Sequence, residues 1–219
     1  MKIQDFDEQK ARERILELTE FVENRSNGST QILAVTKGFQ KEAVVAAYET
    51  GITLFGENYA QELIEKHSAL NDLALEWHMI GSLQRNKVRK LAEIVSVWQA
   101  VDRISLLREI AKHDASAKIL IQVNPLQIPN KAGCSIAEAE VLLEQGLEMG
   151  LLVEGVMAVG MQGNLKETSN IFKEAVDFAE KFDLPERSIG MTEDLEVAID
   201  HGSTLLRIGR ALFGERPKK

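Results

Sequence analysis

The stretch Ile32-Leu33-Ala34-Val35-Thr36-Lys37 carries four apolar residues in a row and ends on a lysine. With Gly28-Ser29 before it and Gly38 after it, the run reads as a strand buried on both faces, the pattern of a parallel sheet. A lysine at the carboxyl end of such a strand enters the mouth of whatever the sheet builds and is partly desolvated there. Desolvation favours the neutral amine, and a neutral amine attacks an aldehyde. Lys37 is therefore the candidate Schiff-base lysine. The plainer alternative is that Lys37 opens a loop and points into water.

Upstream of this strand, Ala11, Ile15, Leu18 and Val22 follow one another at steps of four, three and four, so residues 5 to about 25 form a leading helix that ends at Asn27-Gly28. Downstream, helices are expected over 41–50, 59–70, 84–92, 105–113, 135–149 (capped by Ser135), 166–182 and 193–200, with a last turn at 211–213. Strands fall between them at 53–55, 77–80, 94–101, 118–124, 152–159, 188–191 and 204–208. Lys118-Ile119-Leu120-Ile121-Gln122-Val123-Asn124 is the clearest, its Ile/Val-rich interior typical of a buried parallel strand. Eight strands alternating with eight helical segments, and no Asn-Gly hairpin between any two strands, make an α/β chain with the count of a (β/α)8 TIM barrel. The expectation is a single domain over 1–219, with the leading helix (1–27) packed on the barrel as an extra element. An open doubly wound sheet would want a G-x-G-x-x-G turn after its first strand, and Thr36-Lys37-Gly38-Phe39 is not one.

Composition agrees with an ordinary soluble chain: 219 residues, 44% hydrophobic, 27% charged, without a Gly/Ser-rich linker. A net charge of −8 argues against a nucleic-acid surface, and the one basic cluster, Arg85, Lys87, Arg89 and Lys90, reads as the solvated face of a helix. Met1-Lys2-Ile3-Gln4-Asp5 has no apolar core of signal-peptide type, and no apolar run nears the roughly 20 residues that span a bilayer, so a cytoplasmic protein without membrane contact is expected. Cys134 stands alone, which excludes an internal disulfide and a multi-cysteine zinc site; no metal is expected. Asn24-Arg25-Ser26 and Asn27-Gly28-Ser29 match a glycosylation sequon but read as turn residues. The acidic balance and the lack of an evident apolar patch make a monomer the expectation.

In such barrels working residues lie at the carboxyl ends of the strands, and phosphates are often held by the loops after strands seven and eight. Here Lys37 ends strand one, Asn58 follows strand two, His78 lies on strand three and Asn124 ends strand five. Met191-Thr192 follow strand seven, and Arg207-Ile208-Gly209-Arg210 finish strand eight. Gly209 allows close backbone approach, and Thr192 offers a hydroxyl and an N–H at a helix start, which together suit a phosphate dianion. Glu193-Asp194 would compete with that anion unless both side chains turn outward, and Arg210 would compensate. An amine, a phosphate cradle and an arginine at one mouth are what pyridoxal 5′-phosphate (PLP) requires. Arg207 facing the pyridine nitrogen would disfavour its protonation and leave a poorer electron sink. Three plainer readings stand beside these. His78 is equally a buried histidine bonded within the barrel, Arg207 a structural ion pair with a carboxylate such as Glu57, and Met157, Met161 and Met191 core filler.

Six stretches then carry a family resemblance: Leu33-Ala34-Val35-Thr36-Lys37, Phe55-Gly56-Glu57-Asn58-Tyr59, Trp77-His78-Met79-Ile80-Gly81-Ser82-Leu83-Gln84, Gln122-Val123-Asn124, Gly190-Met191-Thr192-Glu193-Asp194, and Gly202-Ser203-Thr204 through Arg207-Ile208-Gly209 to Phe213-Gly214. In this order the chain resembles the YggS/PROSC family of PLP homeostasis proteins, which looks like the barrel half of a fold-type III alanine racemase. The resemblance implies PLP bound covalently through Lys37, Arg207 at the ring nitrogen, and Thr192 and Gly209 at the phosphate, with Met191 and Arg210 beside them. Asn58 and His78 would line the pocket. Departures from the family's usual wording are Thr192 for serine, Ser82 for histidine and Arg210 for a small hydroxyl residue, and 157–161 lacks a proline often found there. The function implied is a non-catalytic PLP carrier that delivers the cofactor to PLP-dependent apo-enzymes, with no catalytic residue of its own. Its rivals are a small amino-acid racemase completed by a partner chain, with Tyr59 as base, and a Schiff-base aldolase without cofactor.

Overall fold

The computed structural model describes residues 6–216, so the reading of Met1–Asp5, including a helix start at residue 5, lies outside the described residues. Eight parallel strands, β1 Gln31–Val35, β2 Leu54–Glu57, β3 Glu76–Met79, β4 Val95–Val101, β5 Lys118–Val123, β6 Leu152–Ala158, β7 Glu186–Ser188 and β8 Leu205–Ile208, form a closed barrel in chain order. Closure comes from β1 pairing with β8, Gln31 opposite Leu205 and Ala34 opposite Ile208. Helices α2 Lys41–Tyr48, α3 Ala60–Ala69, α4 Arg85–Leu91, α5 Ile104–His113, α6 Ile136–Glu148, α7 Leu165–Lys181 and α8 Leu195–Asp200 follow strands one to seven in turn, and α9 Arg210–Phe213 follows β8. The TIM barrel read from the alternation is the fold. No helix among the described residues is long and apolar enough to cross a membrane.

The leading helix, α1 Glu8–Ser26, is an extra element as expected. Asp7 caps it by accepting from the Lys10 N–H (3.1 Å), and Asn27 ends it in the left-handed region at φ 52°. It packs against α2 and α9, where Phe6, Phe39 and Phe213 meet with ring centroids 5.3 to 6.2 Å apart. The knot ties α1 and α9 to the loop that carries Lys37. Ser135 and Glu138 close a reciprocal capping box at the start of α6.

Alternation along β5 sorts the core. Ile119, Ile121 and Val123 join the large apolar layer between strands and helices, whereas Leu120 joins Val97, Ala100 and Met157 in a small separate cluster inside the barrel. Most strand boundaries moved by one residue; those of strands one, two and seven moved further. The run from Ile32 stops being strand at Val35, because Gly38 at φ +77° closes a turn in which the Phe39 N–H reaches the Thr36 carbonyl (3.0 Å). Strand seven is Glu186–Ser188 rather than 188–191: the charged Glu186 and Arg187 stay half-buried at the rim, and Gly190 at φ +96° leaves the extended region. Helix eight starts two residues later than expected, at Leu195.

Gly155 on β6 lets β7 approach, since a Cβ there would collide with the Glu186 carbonyl. Gly155→Ala is expected to destabilise the fold by about 1–3 kcal/mol through this backbone clash, measured as a lower denaturant midpoint at unchanged m-value.

Candidate functional site

Lys37 sits at the mouth of the barrel in the 36–39 turn, half-buried. The residues on either side of it are held by a cluster from β2 and α3. Thr36 donates its hydroxyl to Glu57 Oε1 (2.6 Å) and accepts Lys66 Nζ at its carbonyl (2.7 Å), while the Gly38 N–H donates to Glu62 Oε2 (2.7 Å). Lys66 also pairs with Glu57 Oε1, and both side chains are buried. Burial pushes the Glu57 carboxyl above its usual range against the opposing Lys66 charge. Glu57 Oε2 has no partner among the described residues.

The turn is thus rigid while the Lys37 amine is free of any hydrogen bond or ion pair among the described residues. Burial lowers its pKa below the ordinary 10.5, the Arg216 and Arg207 charges lower it further, and Glu57 opposes them. Arg216 lies over the same turn: a Cβ on Gly38 would sit 3.1 Å from its Cδ.

Across the β1–β8 seam the loops after β7 and β8 come together. Ala211 donates its N–H to Thr192 Oγ1 (3.3 Å), and a Cβ on Gly209 would lie 3.0 Å from the Val35 carbonyl oxygen, so the Gly209 loop lies against the end of β1. Among the described residues the backbone N–H groups of Thr192, Glu193, Gly209 and Arg210 have no hydrogen-bond partner. Four donors without acceptors on adjoining loops suit an anion with several oxygens. Of the pair Glu193-Asp194, only Glu193 turns out, to Arg210 on the surface. Asp194 is buried instead and accepts from the Met191 N–H, its pKa raised by burial; Gly160 after β6 makes room for it.

Arg207 is buried in the barrel, and it does not pair with Glu57, which belongs to Lys66. Its Nη1 donates to the Ser188 carbonyl and to Ser188 Oγ (2.8 Å), and its Nη2 to the Ala158 carbonyl (2.8 Å). Nε and one Nη2 hydrogen are left over among the described residues. Burial pulls the guanidinium down to about 10, with Asp194 opposing, so it stays charged at neutral pH.

The remaining expected residues fall as follows. Asn58 follows β2, with its Oδ1 buried and unpartnered among the described residues. His78 is buried with both ring nitrogens engaged, Nδ1 at Gln99 Nε2 (2.7 Å) and Nε2 at Glu76 Oε1 (3.2 Å). Met191 is partly exposed at the rim, Asn124 ties its own loop at Ile128 and Lys131, and Arg85, Lys87, Arg89 and Lys90 are exposed on α4. Burial pushes the Cys134 thiol up to about 12, which leaves it inert at neutral pH.

Sequence reasoning missed Lys66, Gln99, Ser188, Asp194 and Arg216. Lys66 stands on the buried α3 stripe with Leu63, and Gln99 interrupts the buried apolar run from Val97 to Val101 on β4; both were signals of buried polar work. Lys131 was missed too: its Nζ donates to the Val159 and Gly160 carbonyls of the loop after β6. An open groove of about 810 Å³ lies at the opposite mouth, walled by residues such as Thr53, Glu76 and Lys118.

Comparisons with known proteins bear on this geometry. The family model for the alanine racemase N-terminal domain matches residues 10–217. A pyridoxal phosphate homeostasis protein of Haemophilus influenzae is 35% identical over 209 residues, covering 89% of this chain and 88% of that one. A protein of the same name from Aquifex aeolicus is 34% identical over 204 residues, covering 88% and 90%. The solved structure of PipY from Synechococcus elongatus with PLP bound superposes with a TM-score of 0.83 at 32% identity, over 93% of this chain and all of that one (100%).

Two outcomes are expected. In competitive labelling with an amine-selective reagent across pH, Lys37 titrates with a midpoint below 10.5, whereas Lys173, whose amine is held up by Asp177, titrates above it. In chemical denaturation, Lys66→Met strands the buried Glu57 carboxylate and costs about 3–5 kcal/mol, most of which the double variant Lys66→Met/Glu57→Leu recovers.

Proposed function

Because the chain belongs to the pyridoxal phosphate homeostasis protein family, we propose that it holds PLP as a Schiff base on Lys37 and passes it to PLP-dependent apo-enzymes without catalysing a reaction of its own. The observation that carries this reading is the meeting, across the β1–β8 seam, of an amine of lowered pKa with a loop pair whose N–H groups, like that amine, have no partner among the described residues.

The residues fit the cofactor. Lys37, half-desolvated and without a partner among the described residues, keeps a larger neutral fraction than an ordinary lysine and so stands ready to join an aldehyde. Thr192, Glu193, Gly209 and Arg210 would bind a phosphate through their N–H groups, the Thr192 hydroxyl helping to hold the two loops together. Met191 would flank that seat, and Asn58, whose Oδ1 has no partner among the described residues, would line the pocket, while His78 has both ring nitrogens engaged within the barrel. Arg207 would turn its spare Nε–H or Nη2–H to the pyridine nitrogen. Bound there, PLP supplies a conjugated electron-withdrawing ring. Arg207 disfavours a proton on that ring, because a second positive charge beside a buried guanidinium is costly. The site is thereby built to hold rather than to activate. Tyr59, the candidate base of the racemase reading, is 58% exposed, on the stretch between β2 and α3, which favours the carrier.

Borohydride reduction of PLP-loaded protein followed by peptide mapping is expected to place the pyridoxyl tag on Lys37, and Lys37→Ala is expected to lose both the tag and the visible absorption. A tag on another lysine overturns the assignment. Loaded protein is further expected to reactivate an apo-transaminase while racemising no added amino acid; solvent deuterium entering the α-carbon would overturn the carrier role.

A further inference from the structure

A line of polar side chains crosses the barrel interior behind Arg207. Arg207 Nη1 donates to Ser188 Oγ (2.8 Å), which donates to Gln99 Oε1 (2.7 Å); Gln99 Nε2 meets His78 Nδ1 (2.7 Å), and His78 Nε2 meets Glu76 Oε1 (3.2 Å). The members come from β8, β7, β4 and β3, and all but Glu76 are buried. Glu76 reaches solvent at the mouth opposite Lys37, on the wall of the 810 Å³ groove.

With a neutral imidazole the two ends set the direction of each bond, because Arg207 can only donate and the Glu76 carboxylate can only accept. Gln99 Oε1 is occupied by the Ser188 hydroxyl, so the amide end facing His78 is the NH2, which can only donate. Nδ1 is then the acceptor, and the imidazole proton sits on Nε2, from where it donates to the Glu76 carboxylate. All four bonds run the same way, from a buried cation to an anion at the far mouth. The bond from His78 holds the Glu76 carboxyl below its usual range. In such a chain each bond polarises the next, and no member can turn without reversing the others.

We propose that Gln99 and His78 are positioning residues for Arg207: through Ser188 they lock the guanidinium in the rotamer whose unused N–H groups face the cofactor's ring nitrogen. The inference rests on the PLP reading above. It places His78 behind the pocket, working through Gln99, since neither ring nitrogen is free to meet a ligand. One Nη1 hydrogen goes to the Ser188 carbonyl and the other to its hydroxyl, so the hydroxyl, held in turn by Gln99, completes the three bonds that fix the edge Arg207 offers. Cutting the line at Gln99 leaves the Ser188 hydroxyl without its acceptor and free to rotate.

The test is the pH titration of the visible band of the PLP-loaded protein, with PLP affinity measured alongside. Gln99→Leu and His78→Leu are each expected to move the titration midpoint by about one pH unit and to weaken PLP binding about tenfold. Since one line is cut in either case, the double variant moves no further than the singles. Additive shifts, or singles that titrate with the wild type, overturn the proposal. Should a leucine variant fail to fold, Gln99→Met decides: it shifts the midpoint if the line positions Arg207, and titrating as wild type it overturns the idea. Failure of the PLP reading itself looks different, because wild-type protein would then acquire no visible band.

Discussion

Closure of the barrel between its first and last strands is the constraint on which the site depends. The β1–β8 register, Leu33 opposite Arg207 and Ala34 opposite Ile208, brings the turn of Lys37 against the loop of Gly209. Parallel strands must all end at the same mouth, so the loops after β1, β7 and β8 have nowhere to go but towards one another. The aromatic contacts of Phe6, Phe39 and Phe213 brace the seam from outside. The Lys37 amine and the N–H groups of the Gly209 loop are neighbours because the sheet closes; an open sheet would leave them on its two edges.

Two buried cations follow from that arrangement, and each is handled differently. Lys66 is neutralised by direct pairing with Glu57, and the pair is spent on the Lys37 turn through Thr36. Arg207 has no buried carboxylate bonded to it among the described residues and leans on two carbonyls and a serine, with Asp194 near enough to oppose the effect of burial. A buried ion costs several kcal/mol when its donors are unmet, so such positions are kept for work that a methyl group cannot do. The interior is accordingly divided, with Val97, Ala100, Leu120 and Met157 as apolar filling and one polar file running from Glu76 to Arg207.

Much of this was legible beforehand. Runs such as Ile119–Val123 and the stripe Ile171, Phe172, Ala175, Ala179 obey periods that only a buried strand and an amphipathic helix satisfy, so the barrel could be counted from the chain. Strand seven was misplaced because Glu186 and Arg187 look like loop residues; they pair in the sheet while their polar ends reach Thr204 and the Gly202 carbonyl at the rim. The plainer alternative for Arg207, an ion pair with Glu57, fails for a related reason. Glu57 is a plausible counter-ion by charge alone, and only the position of Lys66 on α3, nine residues further along, shows that it is taken.

The sequence by itself determined the alternating barrel and the place of Lys37 just past the end of a buried strand, because hydrophobic period and strand order are local and serial properties. Tertiary structure alone decided which polar groups face one another: Thr36 with Glu57, Asp194 turned inward, Ser188 with Gln99, His78 between Gln99 and Glu76. Those pairings depend on strand register and on which way a side chain points inside a closed ring. A shift of one residue would reverse every one of them while leaving the composition of each strand unchanged.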